Sequence, residues 1–166
     1  MHFTTFVLPL LVTSLASAKS LSLFGSGQQP LDAKLDVPGD NPLQFCQTTS
    51  DYILLIQKVD LAPNPPKSGQ KLLIEAAGTF TEEVEEGAYI NLSVKYGLIT
   101  LIRMRADLCD QMKEVDETCP LSGAKVIKKE VDIPKEVPPG KYTVLADVYT
   151  KDDEQITCLQ ATVHFG

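Results

Sequence analysis

The run Tyr89-Ile90-Asn91-Leu92-Ser93-Val94-Lys95-Tyr96 alternates strictly, with Ile90, Leu92, Val94 and Tyr96 on one parity and Tyr89, Asn91, Ser93 and Lys95 on the other. A period of two puts the first set on one face of a strand and leaves the second toward water. The signal recurs to either side. Upstream, Leu72, Ile74, Ala76, Gly78 and Phe80 alternate with a set that carries Lys71, Glu75 and Thr79. Downstream, Tyr142, Val144, Ala146 and Val148 form one such face, and Leu159, Ala161, Val163 and Phe165 another. Residues 52–61, 98–104 and 128–133 add three candidate strands. Turn chemistry separates them at Pro63-Asn64-Pro65-Pro66 with Gly69, at Glu85-Glu86-Gly87, at Pro138-Pro139-Gly140 and at Lys151-Asp152-Asp153. About seven short strands without long helical periodicity predict an antiparallel β-sandwich of immunoglobulin-like type. The chain has no Trp, so the core of true immunoglobulin domains is not indicated.

One strand departs from the pattern. In Leu98-Ile99-Thr100-Leu101-Ile102-Arg103-Met104-Arg105 both parities are apolar, Leu98, Ile102 and Met104 on one and Ile99 and Leu101 on the other. A fully buried strand has this composition, and so does a strand whose second face lines a ligand cavity or a protein contact. Plain core is the simpler of the two readings.

Residues 1–18 read as a secretory signal, with an apolar run from Phe6 to Leu15 and the small residues Ala16-Ser17-Ala18 before the cleavage point. About ten apolar residues are too few to cross a hydrocarbon core, which needs roughly 20. Residues 19–40, rich in Ser, Gly, Gln and Pro, read as a flexible leader or propeptide, and residues 41–166 as the domain. Entry into the secretory pathway places the product in the secreted, vacuolar or endosomal lumen. There the four cysteines, which lack zinc-ribbon or C-x-x-C spacing, read as two disulfides. Three pairings are open; the nested one is the simplest.

The net charge of -7 is the wrong sign for neutralising nucleic-acid phosphates, so a nucleic-acid partner is disfavoured. Chemistry is equally thin. After signal cleavage His164 is the one histidine, and there is no G-x-S-x-G. The carboxylate clusters at Glu82, Glu83, Glu85 and Glu86 and at Asp152, Asp153 and Glu154 sit in turns, where solvated hairpin ends are the expected reading. No enzyme, metal or cofactor is predicted.

In order along the chain, Tyr89-Ile90-Asn91-Leu92-Ser93-Val94-Lys95-Tyr96-Gly97, Asp107-Leu108-Cys109-Asp110, Cys119-Pro120-Leu121, Ile133-Pro134, Val137-Pro138-Pro139-Gly140-Lys141-Tyr142 and Thr157-Cys158-Leu159 resemble the lipid-recognition (ML) family. Its fungal phosphatidylglycerol/phosphatidylinositol transfer branch, related to soluble sterol carriers, is the most similar. The resemblance implies a two-sheet sandwich that holds a lipid between its sheets, and the disulfides Cys46–Cys158 and Cys109–Cys119. It also implies a monomeric carrier that takes a phospholipid or sterol from one membrane surface to another, or, as the alternative, a module that presents its lipid to a membrane-protein receptor. Such a role has a plain physical basis. Pulling a sixteen-carbon acyl chain into water costs on the order of 12 kcal/mol, which suppresses free desorption by roughly nine orders of magnitude. A portable apolar cavity removes that barrier without breaking a bond.

The residues expected to meet the lipid are Ile74, Ala76, Phe80, Leu92, Val94, Tyr96, Ile99, Leu101, Met104, Val137, Pro138, Tyr142, Val144, Ala146, Val148, Leu159, Ala161 and Val163. The resemblance puts the mouth between the strand from Ile99 to Met104 and the Val137-Pro138-Pro139 loop. Arg103 and Arg105, on one parity beside that mouth, have the fork geometry suited to a headgroup phosphate. Asn91-Leu92-Ser93 is an N-glycosylation sequon on the more polar face.

Overall fold

Alternation becomes pairing in a computed structural model that describes residues 35–48 and 51–166. The strands are β1 (Leu43–Phe45), β2 (Leu54–Ala62), β3 (Lys71–Val84), β4 (Tyr89–Tyr96), β5 (Ile99–Asp107), β6 (Leu121–Asp132), β7 (Gly140–Tyr149) and β8 (Gln155–Phe165), with one short helix, α1 (Leu108–Lys113), between β5 and β6. They form a five-stranded sheet in the order β1-β8-β7-β4-β5 and a three-stranded sheet in the order β2-β3-β6. All pairings in these ladders are antiparallel.

Register selects which parity faces the interior. In the large sheet Leu92 stands opposite Met104 and Ala146, Val94 opposite Ile102 and Val144, and Ala146 opposite Leu159. The apolar parities therefore line up across the sheet, as a half-buried sandwich sheet requires. The core they build is split. One buried cluster gathers Ile53, Phe80, Val84, Leu108, Leu121, Val148 and Ile156, and the other Val37, Phe45, Tyr52, Val59, Leu61 and Cys158.

The disulfides are Cys46–Cys158 and Cys109–Cys119. The first ties the segment after β1 to β8 across 112 residues; the second closes a ten-residue step that contains α1. On the chain-entropy account these loops are worth about 5 and about 3 kcal/mol. Asp107 starts α1 by accepting a hydrogen bond from the Asp110 N–H at 2.9 Å, and Lys113 sits in the last turn, where the helix dipole favours a cation.

The sequence reading needs correction at four places. Residues 35–40 are packed where a flexible leader was expected: Val37 is only 3% exposed, Val59 N–H donates to Pro38 O at 2.8 Å and Leu61 N–H to Asp40 O at 2.8 Å. The signal segment and the rest of the expected leader lie outside the described residues. β1 and α1, of three and six residues, are too short to show a period. β6 begins seven residues before the expected 128, because Gly123 and Ala124, weak strand formers, are held opposite Phe80 and Thr79 of β3. Finally, β5 is not buried core. It is an edge strand, and Ile99, Leu101, Ile102 and Met104 are all exposed.

Candidate functional site

Between the two core clusters lies an apolar cavity of about 270 Å³. The large sheet contributes Leu43, Val148, Ile156, Thr157 and Leu159 to its wall. The small sheet contributes Leu54, Ile56, Val59, Ile74, Ala76, Ala77, Gly78, Phe80, Lys125 and Ile127, and α1 adds Leu108 and Met112. Protein interiors normally close such gaps. Here the small residues Ala76, Ala77 and Gly78 follow one another on β3, and larger side chains there would fill the space.

Two members of the wall are polar. Lys125 forms an ion pair with Glu117, Nζ to Oε2 3.0 Å. Thr157 is 4% exposed and its Oγ1 has no hydrogen-bond partner. Everything else in the wall is apolar or glycine, so the cavity suits hydrocarbon.

The sandwich has one unpaired side. β5 and β6 are the outer strands of their sheets and are connected only through α1 and the loop closed by Cys109–Cys119, with no ladder between them. Register puts Ile102 and Met104 on the inner face, opposite Val94 and Leu92, yet they are 45% and 49% exposed. A bulge between Val94 and Lys95 makes Leu101 the extra residue and sets Ile99 opposite Tyr96. Ile99 thus changes face relative to simple parity. At the β4–β5 turn Leu98 is fully exposed. An apolar strip from Leu98 to Met104 therefore runs along the open edge.

Among the sequence-predicted residues, Ile74, Ala76, Phe80, Val148 and Leu159 line the cavity. Leu92, Val94, Met104, Val144, Ala146, Ala161 and Val163 share the inner face by register but lie outside its wall. Tyr96 and Tyr142 are brought together at the far end of the sheet, ring centroids 5.1 Å apart, with Phe165 edge-on to Tyr142. Their hydroxyls donate to Pro139 O at 2.9 Å and Pro138 O at 2.8 Å. Burial raises the Tyr142 phenol above its ordinary pKa. That end is packed by aromatic rings, so Pro138 serves there as an acceptor. Val137 is half-buried in the same loop. The wall residues that were not singled out come mainly from elements with weak or hidden signals, β1, α1, the first half of β6 and the bulged β2, with Ala77 of β3 and Ile156 and Thr157 at the start of β8 besides.

The arginines are displaced from the expected position. Arg103 pairs with Ser93 and Arg105 with Asn91, which puts both on the outer face, away from the cavity. Arg105 Nε donates to Asn91 Oδ1 at 3.1 Å and its guanidinium stacks 4.1 Å from the Tyr89 ring centroid. With Lys95, Met104, Thr143, Leu145, Asp147 and Gln160 they line a separate hollow of about 590 Å³. Asn91 is half-buried in that hollow. Nearby, Tyr149 donates to Asp147 Oδ2 at 2.7 Å, which pushes its phenol up to about 12. Among the described residues no group of His, Cys, Asp or Glu is placed to hold a metal ion, and no helix is long and apolar enough to cross a membrane.

Two sheets, a split core, an apolar cavity between its halves and an unpaired edge define a β-sandwich of the ligand-holding kind. The chain belongs to the ML domain family, whose model matches residues 40–165. It is 54% identical over 169 residues to a phosphatidylglycerol/phosphatidylinositol transfer protein of Pyricularia oryzae, covering 99% of this chain and 93% of that one. A relative of the same name from Aspergillus fumigatus is 57% identical over 148 residues, covering 88% and 85%. Among solved structures, a Niemann-Pick type C2 protein from the Japanese carpenter ant superposes with a TM-score of 0.53 at 14% identity, over 75% of this chain and 98% of that one, and shares the fold.

Proposed function

We propose that the chain is a soluble, monomeric lipid carrier that takes up an anionic phospholipid, phosphatidylglycerol or phosphatidylinositol, between its sheets and moves it from one membrane surface to another without chemical conversion. The observation that carries the reading is the apolar cavity between the two halves of the core. The names of its relatives support the choice of lipid class. A lumenal or extracellular setting agrees with two disulfides, which persist in oxidising compartments.

The volume adds a mechanistic constraint. About 270 Å³ is slightly below the roughly 300 Å³ from which ligand pockets usually start. A diacyl lipid needs more, so loading requires the unpaired β5 and β6 edges to part, with Ile102 and Met104 extending the wall along the acyl chain. Their exposure on the unpaired edge is the counterpart of that role.

The test is exchange of fluorescent phosphatidylglycerol, phosphatidylinositol and a sterol between vesicles, combined with mass spectrometry of lipid extracted from the purified protein. Ala76→Phe, which fills the cavity, is expected to cut transfer at least tenfold while the protein stays folded, since overpacking costs about 1–3 kcal/mol. Unchanged transfer by this variant overturns the reading. Transfer that begins only when a membrane protein is added supports the receptor-presenting alternative.

A further inference from the structure

Within the lipid-carrier reading, we propose that Lys125 is the contact for the lipid's phosphate, and that Glu117 occupies this cation until an anionic lipid displaces it. Lys125 is the one charged side chain in the cavity wall. It stands on β6, an edge strand, on the same face as Ile127, another wall residue, and its side chain is only partly enclosed. Its strand partner across the ladder is Gly78, also in the wall, which has no side chain to compete for the space.

The ion pair with Glu117 is the most enclosed of those among the described residues. Its side chains are 27% and 23% exposed, whereas Lys58, Lys71, Lys113 and Lys128 in other pairs are 59% exposed or more. A second lysine, Lys129, lies one alternation beyond Ile127 on the same face of β6 and pairs with Glu114. Both glutamates lie between α1 and β6, within the loop closed by Cys109–Cys119. The inner edge of β6 is therefore a row of cations, each neutralised by the protein's own carboxylate.

A phosphodiester is chemically equivalent to the displaced carboxylate: an anionic oxygen acceptor that forms a charge-assisted hydrogen bond with the amine. Exchange keeps Lys125 paired throughout, and Glu117 moves from a partly enclosed position into water. A neutral lipid offers no replacement anion and leaves the pair closed. Specificity for an anionic headgroup thus follows from the exchange, with the acyl chains already in the cavity beside the same side chain. Arg103 and Arg105, on the outer face, have no such relation to the wall.

The assignment is tested by loading the full protein from vesicles containing either dioleoylphosphatidylglycerol or dioleoylglycerol, which share acyl chains and differ in the phosphate headgroup. Lys125→Gln is expected to lower the ratio of phosphatidylglycerol to diacylglycerol loading about tenfold, the range for loss of a charged hydrogen bond. Glu117→Gln is expected to raise phosphatidylglycerol loading severalfold, and Lys125→Arg, which keeps the charge and the fold, to retain most of it. Equal losses of both lipids in Lys125→Gln, or a loss on Glu117→Gln, overturn the assignment while leaving the carrier reading intact. Failure of the wild type to load either lipid overturns both. Competition by millimolar inorganic phosphate as effective as unlabelled lipid would make this a free-anion site and overturn the assignment to a lipid headgroup.

Discussion

A Cβ placed on Gly140 would stand 2.5 Å from Cε2 of Tyr96, inside van der Waals contact, because the Tyr96 ring lies flat against the glycine backbone. Gly140 has φ +148°, a region open to glycine and strained for other residues. The two requirements coincide at one position, where the aromatic cluster of Tyr96, Tyr142 and Phe165 closes the end of the large sheet. Gly140→Ala is expected to cost about 2–4 kcal/mol. Thermal melting should show it as a fall in Tm of about 8 °C or more. Adding Tyr96→Leu removes the ring atoms and should restore part of the loss; no restoration would place the cost in the backbone alone.

Thr157 Oγ1 is buried without a partner at the cavity wall, so the hydroxyl carries a desolvation cost that no bond offsets. Valine has the same shape and favours strands. Thr157→Val is expected to stabilise delipidated protein by about 1 kcal/mol, and chemical denaturation at constant m-value measures it. A loss of stability would mean that the hydroxyl is bonded in solution.

The Tyr149 phenol, bonded to the Asp147 carboxylate, ionises near pH 12 against an ordinary 10. A raised folded-state pKa contributes stability that is complete below the unfolded value and lost as pH climbs through the folded one. The stability advantage of wild type over Tyr149→Phe should therefore hold at pH 9 and shrink from pH 10 toward 12. Tyrosinate absorbance should show the late-titrating group in wild type and not in the variant.

Leu98 is fully exposed at the β4–β5 turn, and Leu101 and Ile102 continue its strip. A leucine entering a bilayer gains about 1.5–3 kcal/mol, so Leu98→Asp should weaken vesicle binding about tenfold or more, with Tm unchanged within about 1 °C. Leu101→Asp and Ile102→Asp should act likewise on lipid uptake. With a net charge of -7 the protein is repelled by anionic bilayers at neutral pH, and the repulsion falls as carboxylates take up protons. Transfer to anionic vesicles should be faster at pH 5 than at pH 7; a flat response would remove the electrostatic component.

Strand alternation, turn residues, the cysteine count and a run of motifs made the sandwich, its family and one face of β3, β4, β7 and β8 legible from the sequence. These are local properties, because period two and turn geometry are set by neighbours in the chain. What alternation could not supply was position in depth. Leu159 and Val163 carry the same signal, yet the first lines the cavity and the second lies beyond it. Arg103 and Ile99 share a parity, and only the bulge at Leu101 puts them on opposite faces. The apolar composition of 98–104 favoured plain core over a face lining a cavity or a protein contact; strand order decides against core, because it leaves β5 without a partner on one side. Lys125 had no sequence signal at all, since a lysine on a strand is ordinarily a solvated residue. Its place in the wall depends on the β3–β6 ladder that sets it against Gly78, far away in the chain, and on the Glu117 carboxylate brought beside it by the disulfide-closed loop, contacts that no strand pattern encodes.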